Sequence, residues 1–432
     1  MRAYIFFCFH GFKSRNINNL FGRNAYFRAD YYYLIMSNRA TERLKLLTPS
    51  RIILPILIGL AVASYMVFSA LQEERFEKKI AANANYVWVD GNENGEEDKE
   101  EFVFKEEGKG DYVKITYRDE LRSINWTWYS TLWIVIAIIS MFIRDLSYMY
   151  RIRVLTDYHI SWRRSFDVIM LWEFASAVAP SAVGGSTVAM FIVNREGIKL
   201  GKSTAIVLIT SLLDQLFYIV MVPLVLVIVG TQRLLPDLSS AGMQGFASAG
   251  IKLFFIGFGL MLLYAIIISW AIFVKPRGFK WLLIKIFQLP FLRKWREGAA
   301  ETGNEIIIAS KEIRGKPFGY WFKATAATFA SWTARFWVTN FIIMAFFPVS
   351  EHMLIYARQL VMWVIMHITP TPGGSGVAEI IFTGFIGEFI LSAGLIGSIA
   401  IIWRLISYYP YLFIGAIILP GWIKRSYIKK KV

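Results

Sequence analysis

The sequence predicts an all-α polytopic membrane protein, built as inverted-topology repeats with two Pro/Gly-broken re-entrant helical hairpins and a small extracytoplasmic β-like insert. Three observations carry this. Of 432 residues, 56% are hydrophobic and 18% charged, too apolar for a soluble chain and distributed in runs long enough to cross a bilayer. The helix breakers concentrate in Ala179-Pro180-Ser181-Ala182-Val183-Gly184-Gly185 and in Met366-His367-Ile368-Thr369-Pro370-Thr371-Pro372-Gly373-Gly374-Ser375-Gly376. Each lies within or beside a strongly apolar stretch, where broken backbone is tolerated only against protein or a wet cavity. Third, the basic residues gather in the loops beside apolar spans, so the net charge of +16 reads as topology and anionic-lipid contact, with no nucleic-acid partner expected.

Residues 1–50 are expected to be cytoplasmic. Met36 is the expected start of translation, a functional leader within 1–35 being the alternative. The first span is read at 51–71, behind Arg39, Arg43, Lys45 and Arg51. Residues 72–124 form an acidic extracytoplasmic insert, with alternation such as Tyr86-Val87-Trp88-Val89 that suggests short strands. A second span at 126–148 returns to a basic loop that begins with Arg151 and Arg153.

The stretch 166–194 has basic flanks on both sides, so it is read as re-entering from the cytoplasmic side rather than crossing. Spans at 203–230 and 251–274 follow, then a cytoplasmic, partly amphipathic segment at 275–316 with 10 basic and 4 acidic residues. Residues 320–347 cross outward, 354–391 form the second broken stretch, opening outward, and 394–423 cross back to a basic cytoplasmic tail at 426–432. Each half then reads span, hairpin, span, with the two hairpins on opposite sides. Kinked but ordinary crossings are the alternative.

Ionisable groups at membrane depth each cost about 2.5 to 3.5 kcal/mol on insertion scales, so each should face water or a partner. Glu173, Asp214, Arg335, Arg358, Glu379 and Arg404 form that set. Pro372, Gly373, Gly374 and Gly376 precede a half-helix whose free N–H groups suit a phosphate or carboxylate. Glu379, in its first turn, either caps the fold or handles substrate or protons. Arg404 and Tyr408 share a helix face and could hold a lipid phosphate, an internal ion pair with Glu379 or Asp214 being the alternative. Arg335 is a second headgroup cation, and Arg358 is read as an interfacial anchor. Glu173 and Asp214 are candidate proton carriers. Pro180, Gly184 and Gly185 form the first hairpin's turn.

Cys8 is the lone cysteine and the four histidines make no metal-spacing pair, so no thiolate cluster, disulfide, cofactor or catalytic residue is expected. Asp90, Asn92, Asn94, Glu96 and Glu101 satisfy the spacing of a calcium loop. Their strand-like flanks favour a solvated acidic hairpin.

Pro372-Gly373-Gly374-Ser375-Gly376-Val377-Ala378-Glu379, Arg195-Glu196-Gly197-Ile198 followed by Asp214, and Arg404-Leu405-Ile406-Ser407-Tyr408-Tyr409 together resemble the flippase-type transmembrane domain of the lysylphosphatidylglycerol synthetases. The resemblance runs over about 120–425 in a domain read as 125–425, its order of motifs supplying the specificity. It implies a multi-span protein of the bacterial inner membrane, with both termini cytoplasmic, that moves a polar or anionic lipid between leaflets. The sequence ends soon after its last span, so no aminoacyl-transferase domain is expected. Ala182-Val183-Gly184-Gly185-Ser186 also lacks the charged pair many relatives carry at this turn. The expected partner is a membrane lipid substrate, with a separate lipid-modifying enzyme possible. An integral-membrane headgroup enzyme, a scaffold for a synthase and a carrier of soluble anions are the alternatives.

Overall fold

In this computed structural model the structure describes residues 75–78, 84–91, 101–105, 109–115, 126–178, 182–234, 244–290, 292–293, 296–367, 377–392 and 395–428, with isolated positions between 119 and 124. The expected first span at 51–71 and the Pro372–Gly376 turn lie outside them.

The insert forms an antiparallel sheet of β1 (Arg75–Lys78), β2 (Tyr86–Trp88), β3 (Phe102–Phe104) and β4 (Tyr112–Ile115), in the order β1-β4-β2-β3. Tyr86 pairs with Phe104 and Trp88 with Phe102, so the calcium-like loop joins two strands rather than two helices. Glu101 accepts the Trp88 indole N–H at 3.0 Å and the Gly91 N–H at 3.1 Å. That carboxylate braces a hairpin. Phe76 stacks on Phe102 at 4.1 Å, tying β1 across the sheet.

The helical part begins with α1 (Trp128–Leu155), α2 (Trp162–Val178), α3 (Ala182–Arg195) and α4 (Leu200–Val229). Then come α5 (Gln244–Ser269), ending in a π-helical turn at Trp270–Val274, α6 (Pro276–Ile286) and α7 (Arg296–Ile313). The last group is α8 (Phe318–Met344), α9 (His352–His367), α10 (Val377–Ile386), α11 (Ile396–Ser407) and α12 (Tyr409–Ile428). The segments Trp128–Leu155, Gly201–Val229, Lys252–Val274 and Ile396–Ser426 are each long and apolar enough to cross a membrane.

Two helix boundaries depart from the sequence reading. The second span continues to Leu155 rather than stopping at 148, so Arg151 is a buried helical residue and not part of a loop. The last span is not continuous. It breaks at Tyr408 (φ −133, ψ −57), because Pro410 has no N–H for the Ile406 carbonyl and its ring crowds that oxygen. The helix then resumes and runs to Ile428, past the expected start of the tail.

Helices α1 and α8 pack antiparallel along their full length. Trp133 stacks with Phe341, the Ser140 hydroxyl donates to the Ala334 carbonyl at 2.8 Å, Ser331 donates to Arg144 at 3.0 Å, and Tyr320 reaches the Leu155 carbonyl at 3.4 Å. Small buried residues, Ala137, Ala324, Ala327 and Thr328, let the two backbones approach, as helix association in lipid requires.

Helices α2 and α3 form a hairpin. Gly185 makes its close approach possible, since a Cβ there would lie 2.4 Å from the Ser176 hydroxyl and 2.9 Å from its Cα. The two feet meet at Arg425 of α12, which donates to Asp167 at 2.6 Å and to Glu196 at 2.7 Å. Trp422 also donates to Glu196, at 2.8 Å. Helices α9 and α10 form a second hairpin, whose feet meet at Arg358. That guanidinium donates to the carbonyls of Phe385 (3.2 Å) and Arg233 (2.9 Å) and pairs with Glu388 at 2.7 Å. Arg358 is therefore a buried fastener, not the interfacial anchor its position suggested; it satisfies carbonyls that a helix end would otherwise leave orphaned. Glu196 precedes the start of α4 and Arg233 follows its end, so the feet of the two hairpins lie at opposite ends of the bundle.

Candidate functional site

The α1 residues Arg144, Tyr148 and Arg151 recur at the i, i+4, i+7 spacing of one helix face. The Tyr148 ring sits between the two guanidinium groups, 4.4 Å from the first and 4.2 Å from the second. Arg144 donates to Glu173 of α2 at 2.5 Å and to Asp145 at 2.7 Å. Arg151 donates to Asp214 of α4 at 2.6 Å and to Thr328 at 3.0 Å. Asp214 also accepts the Trp332 indole N–H at 2.8 Å, and the Tyr411 hydroxyl donates to Asp145 at 2.8 Å.

Arg335 of α8 joins this network differently. Its guanidinium lies 4.3 Å from the Trp363 ring centroid and 5.8 Å from that of Trp332. Among the described residues it forms no ion pair. Its Nε is buried without a hydrogen-bond partner, as are Nε of Arg144, Nη2 of Arg151 and the Tyr218 hydroxyl. Glu173 and Asp214 remain about one-fifth exposed through their side chains, against 1% and 2% for the two arginines. The cluster therefore has buried donors with unused capacity and carboxylates that reach a surface.

Its depth follows from helix geometry. At 1.5 Å per residue Arg144 stands about 24 Å along α1, and Arg335 and Asp214 lie similarly far into α8 and α4. Charges held there are stabilised by each other, by neutral partners such as Thr328, Trp332 and Tyr411, by aromatic faces and by whatever enters.

The second set of expected residues lies apart from this cluster in its bonding. Arg404 donates through Nε to Glu379 at 2.9 Å, the two side chains being 4% and 0% exposed. The guanidinium also stacks 3.8 Å from the Tyr408 ring centroid. The Tyr408 hydroxyl then donates to the Ala177 carbonyl at 3.3 Å, at the end of α2. Of the two readings the sequence left open for Arg404 and Glu379, the geometry supports the internal pair. It joins the second hairpin to the last span, and Tyr408 joins that span to the first hairpin.

Structure thus brings Glu173, Asp214 and Arg335 into one network and Glu379, Arg404 and Tyr408 into another. Gly185 is a packing position. Gly184 lies in α3; Pro180, the Pro372–Gly376 segment and the loop residues Asn92, Asn94 and Glu96 lie outside the described residues. Asp90 is described and sits in the insert. Among the described residues no group of three or more His, Cys, Asp and Glu side chains is placed to hold a metal ion. Sequence reading missed Arg144, Asp145, Tyr148, Arg151 and Tyr411. The available signal was the spacing of 144, 148 and 151 within an apolar run.

Outside the membrane-spanning segments, Asp157 pairs with Lys202 and with Lys316, the latter at 2.6 Å. Partial burial works to raise its pKa, but the hydrogen bonds and charges of the two lysines outweigh that and hold the carboxyl below its ordinary value.

Apolar spans enclosing a paired-charge cluster, with two hairpins footed at opposite ends, define a polytopic membrane protein with an internal polar site. The chain belongs to a known family of that class: the model of the lysylphosphatidylglycerol synthase TM region matches residues 116–415. A UPF0104 membrane protein from Archaeoglobus fulgidus is 25% identical over 299 residues, covering 65% of this chain and 84% of that relative. No solved structure matches the chain.

Proposed function

We propose that the chain moves a polar or anionic lipid across the bacterial inner membrane, as a flippase or scramblase, with the headgroup passing through the Arg144–Arg151–Arg335 cluster. The observation that carries this is Arg335: a cation at mid-depth with no ion pair among the described residues, framed by two tryptophans, in a cluster where the buried atoms Arg144 Nε, Arg151 Nη2 and Tyr218 Oη also lack hydrogen-bond partners. A phosphate or carboxylate would meet those donors through charge-assisted hydrogen bonds. Glu173 and Asp214 would accept from any hydroxyl or ammonium group on the same headgroup.

The inverted-repeat reading is part of the proposal. The antiparallel α1 and α8 serve as equivalent spans, and the interval from the start of α1 (128) to that of α2 (162) recurs between α8 (318) and α9 (352). Each hairpin would then be re-entrant from its own side of the bilayer. The end carrying Arg153, Lys202, Lys316 and Lys424 would face the cytoplasm, with both termini there.

Reconstituted vesicles carrying a fluorescent headgroup-labelled phospholipid, quenched from outside, test the reading. Wild type should expose inner-leaflet label, and Arg335→Gln should slow this at equal protein density. Equal rates for wild type, variant and empty vesicles would remove transport and favour a scaffold or a headgroup enzyme. Mass spectrometry of retained lipid, compared between wild type and the same variant, would identify the headgroup class.

A further inference from the structure

Residues 275–296 contain seven Lys or Arg and no Asp or Glu. The acidic residues of the cytoplasmic-side segment, Glu297, Glu301, Glu305 and Glu312, all fall in the following helix, α7. Helix α6 thus carries Arg277, Lys280 and Lys285 with no acidic residue, and it packs on the helix that carries the four glutamates.

Their packing is close. A Cβ on Gly303 of α7 would lie 3.0 Å from the Cα of Lys280, and Lys280 donates to Asn304 at 2.8 Å. Helix α7 in turn lies against the start of α4, where a Cβ on Gly201 would overlap Ile308. The face of α6 that carries Lys280 is thereby used. Phe279 is buried against Trp270, and the stripe it begins runs out uncovered: Leu282, Ile286 and, just past the helix, Leu289 recur at helical spacing, 39%, 41% and 46% exposed, with Trp281 at 61%. The apolar band continues through Phe273 and Val274 at the foot of α5, and Phe273 packs on Trp321 of α8. Lys275, Arg277 and Lys285 are exposed along the same helix, Lys285 lying 4.7 Å over the Trp281 ring.

A soluble partner would not account for an apolar stripe that joins the foot of a membrane span. An acidic lipid surface accounts for both the stripe and the unbalanced positive charge. Interfacial helices seat their apolar face at the boundary between headgroups and acyl chains and keep basic residues among anionic phosphates. Each Lys or Arg held near such a surface contributes about 1 kcal/mol.

We propose that α6 is an interfacial helix that binds the anionic headgroup layer of the leaflet at this end of the protein, and so docks α7 and the start of α4 against that leaflet. This rests on the membrane placement of the chain and not on lipid transport.

The test uses the full chain with Cys8→Ser and Leu282→Cys, labelled with an environment-sensitive fluorophore and reconstituted in two vesicle types: phosphatidylcholine alone, and equal parts phosphatidylcholine and phosphatidylglycerol. Lipid-borne nitroxide should quench the label more strongly in the anionic vesicles, and aqueous iodide less. In Arg277→Glu/Lys285→Glu, whose side chains are exposed and outside the core, the ratio of lipid-seated to water-exposed label should fall by about fivefold or more per charge changed. High salt should move wild type the same way. Equal quenching in both vesicle types overturns the anionic-lipid assignment. A label shielded from both quenchers indicates a protein partner and overturns the proposal, as does one reached only by iodide.

Discussion

Arg404 of α11 and Glu379 of α10 face each other across 2.9 Å in full burial. A pair of this kind is strongly destabilised when one member is removed and nearly neutral when both are replaced by apolar groups of similar volume. Arg404→Ala should therefore destabilise the fold by about 3–5 kcal/mol. Glu379→Met/Arg404→Met should recover most of that loss. Thermal unfolding in detergent, followed by size-exclusion chromatography, distinguishes this from a substrate-binding role, in which the double variant would fold and fail to transport.

Arg335 should behave in the opposite manner. With no ion pair to break among the described residues, Arg335→Gln should leave the melting temperature near that of wild type. Lipid transfer should slow by about tenfold or more, equivalent to about 1.4 kcal/mol of lost headgroup stabilisation. Transfer assays and melting curves on the same preparation check both halves.

Gly185→Ala should wedge α2 from α3. The added methyl group meets Ser176 backbone as well as its hydroxyl, and overpacking of this kind costs about 1–3 kcal/mol. Ser176→Gly in the same chain should relieve part of the clash, which unfolding in detergent would register as a partial return of stability.

Asp157 gives a pH dependence with a definite sign. Its carboxyl titrates below the ordinary value of about 3.9, so the contribution of its two lysine contacts is complete above that value and is lost as pH falls through the depressed pKa. Because the side chain is 42% exposed, solvent screening limits each contact to under about 1 kcal/mol. Protease cleavage near 156–161 should rise only below about pH 4 in wild type, and in Asp157→Asn should exceed wild type near neutral pH and converge with it at low pH.

What was legible in the sequence depended on whether local chemistry or distant packing decided the outcome. The apolar helices at Trp128–Leu155, Gly201–Val229, Lys252–Val274 and Ile396–Ser426 were legible because composition determines what hydrocarbon accepts. Arg404 and Tyr408 fell on one face through helical periodicity. The strand character around the 90–101 loop was evident from Val and aromatic residues. By contrast, Arg151 follows an apolar run and is close to Arg153, so the charge-in-loop rule placed it outside; its burial is decided by Asp214, over sixty residues later. Arg358 looked like a residue able to snorkel, but the carbonyls of Arg233 and Phe385 draw it inward, and no local pattern announces them. The hairpin feet likewise depend on partners in the other half of the chain.

The Arg425 contacts also bear on the order in which the protein can be made. Asp167 and Glu196 leave the ribosome more than two hundred residues ahead of the side chain that joins them. Throughout synthesis of the second half, the first hairpin's feet lack the Arg425 guanidinium and have between them only the longer Arg164–Glu196 pair at 3.8 Å. Maturation of the N-terminal half is therefore completed from the C-terminus, and the first hairpin becomes fully fastened only when the final helix has been inserted.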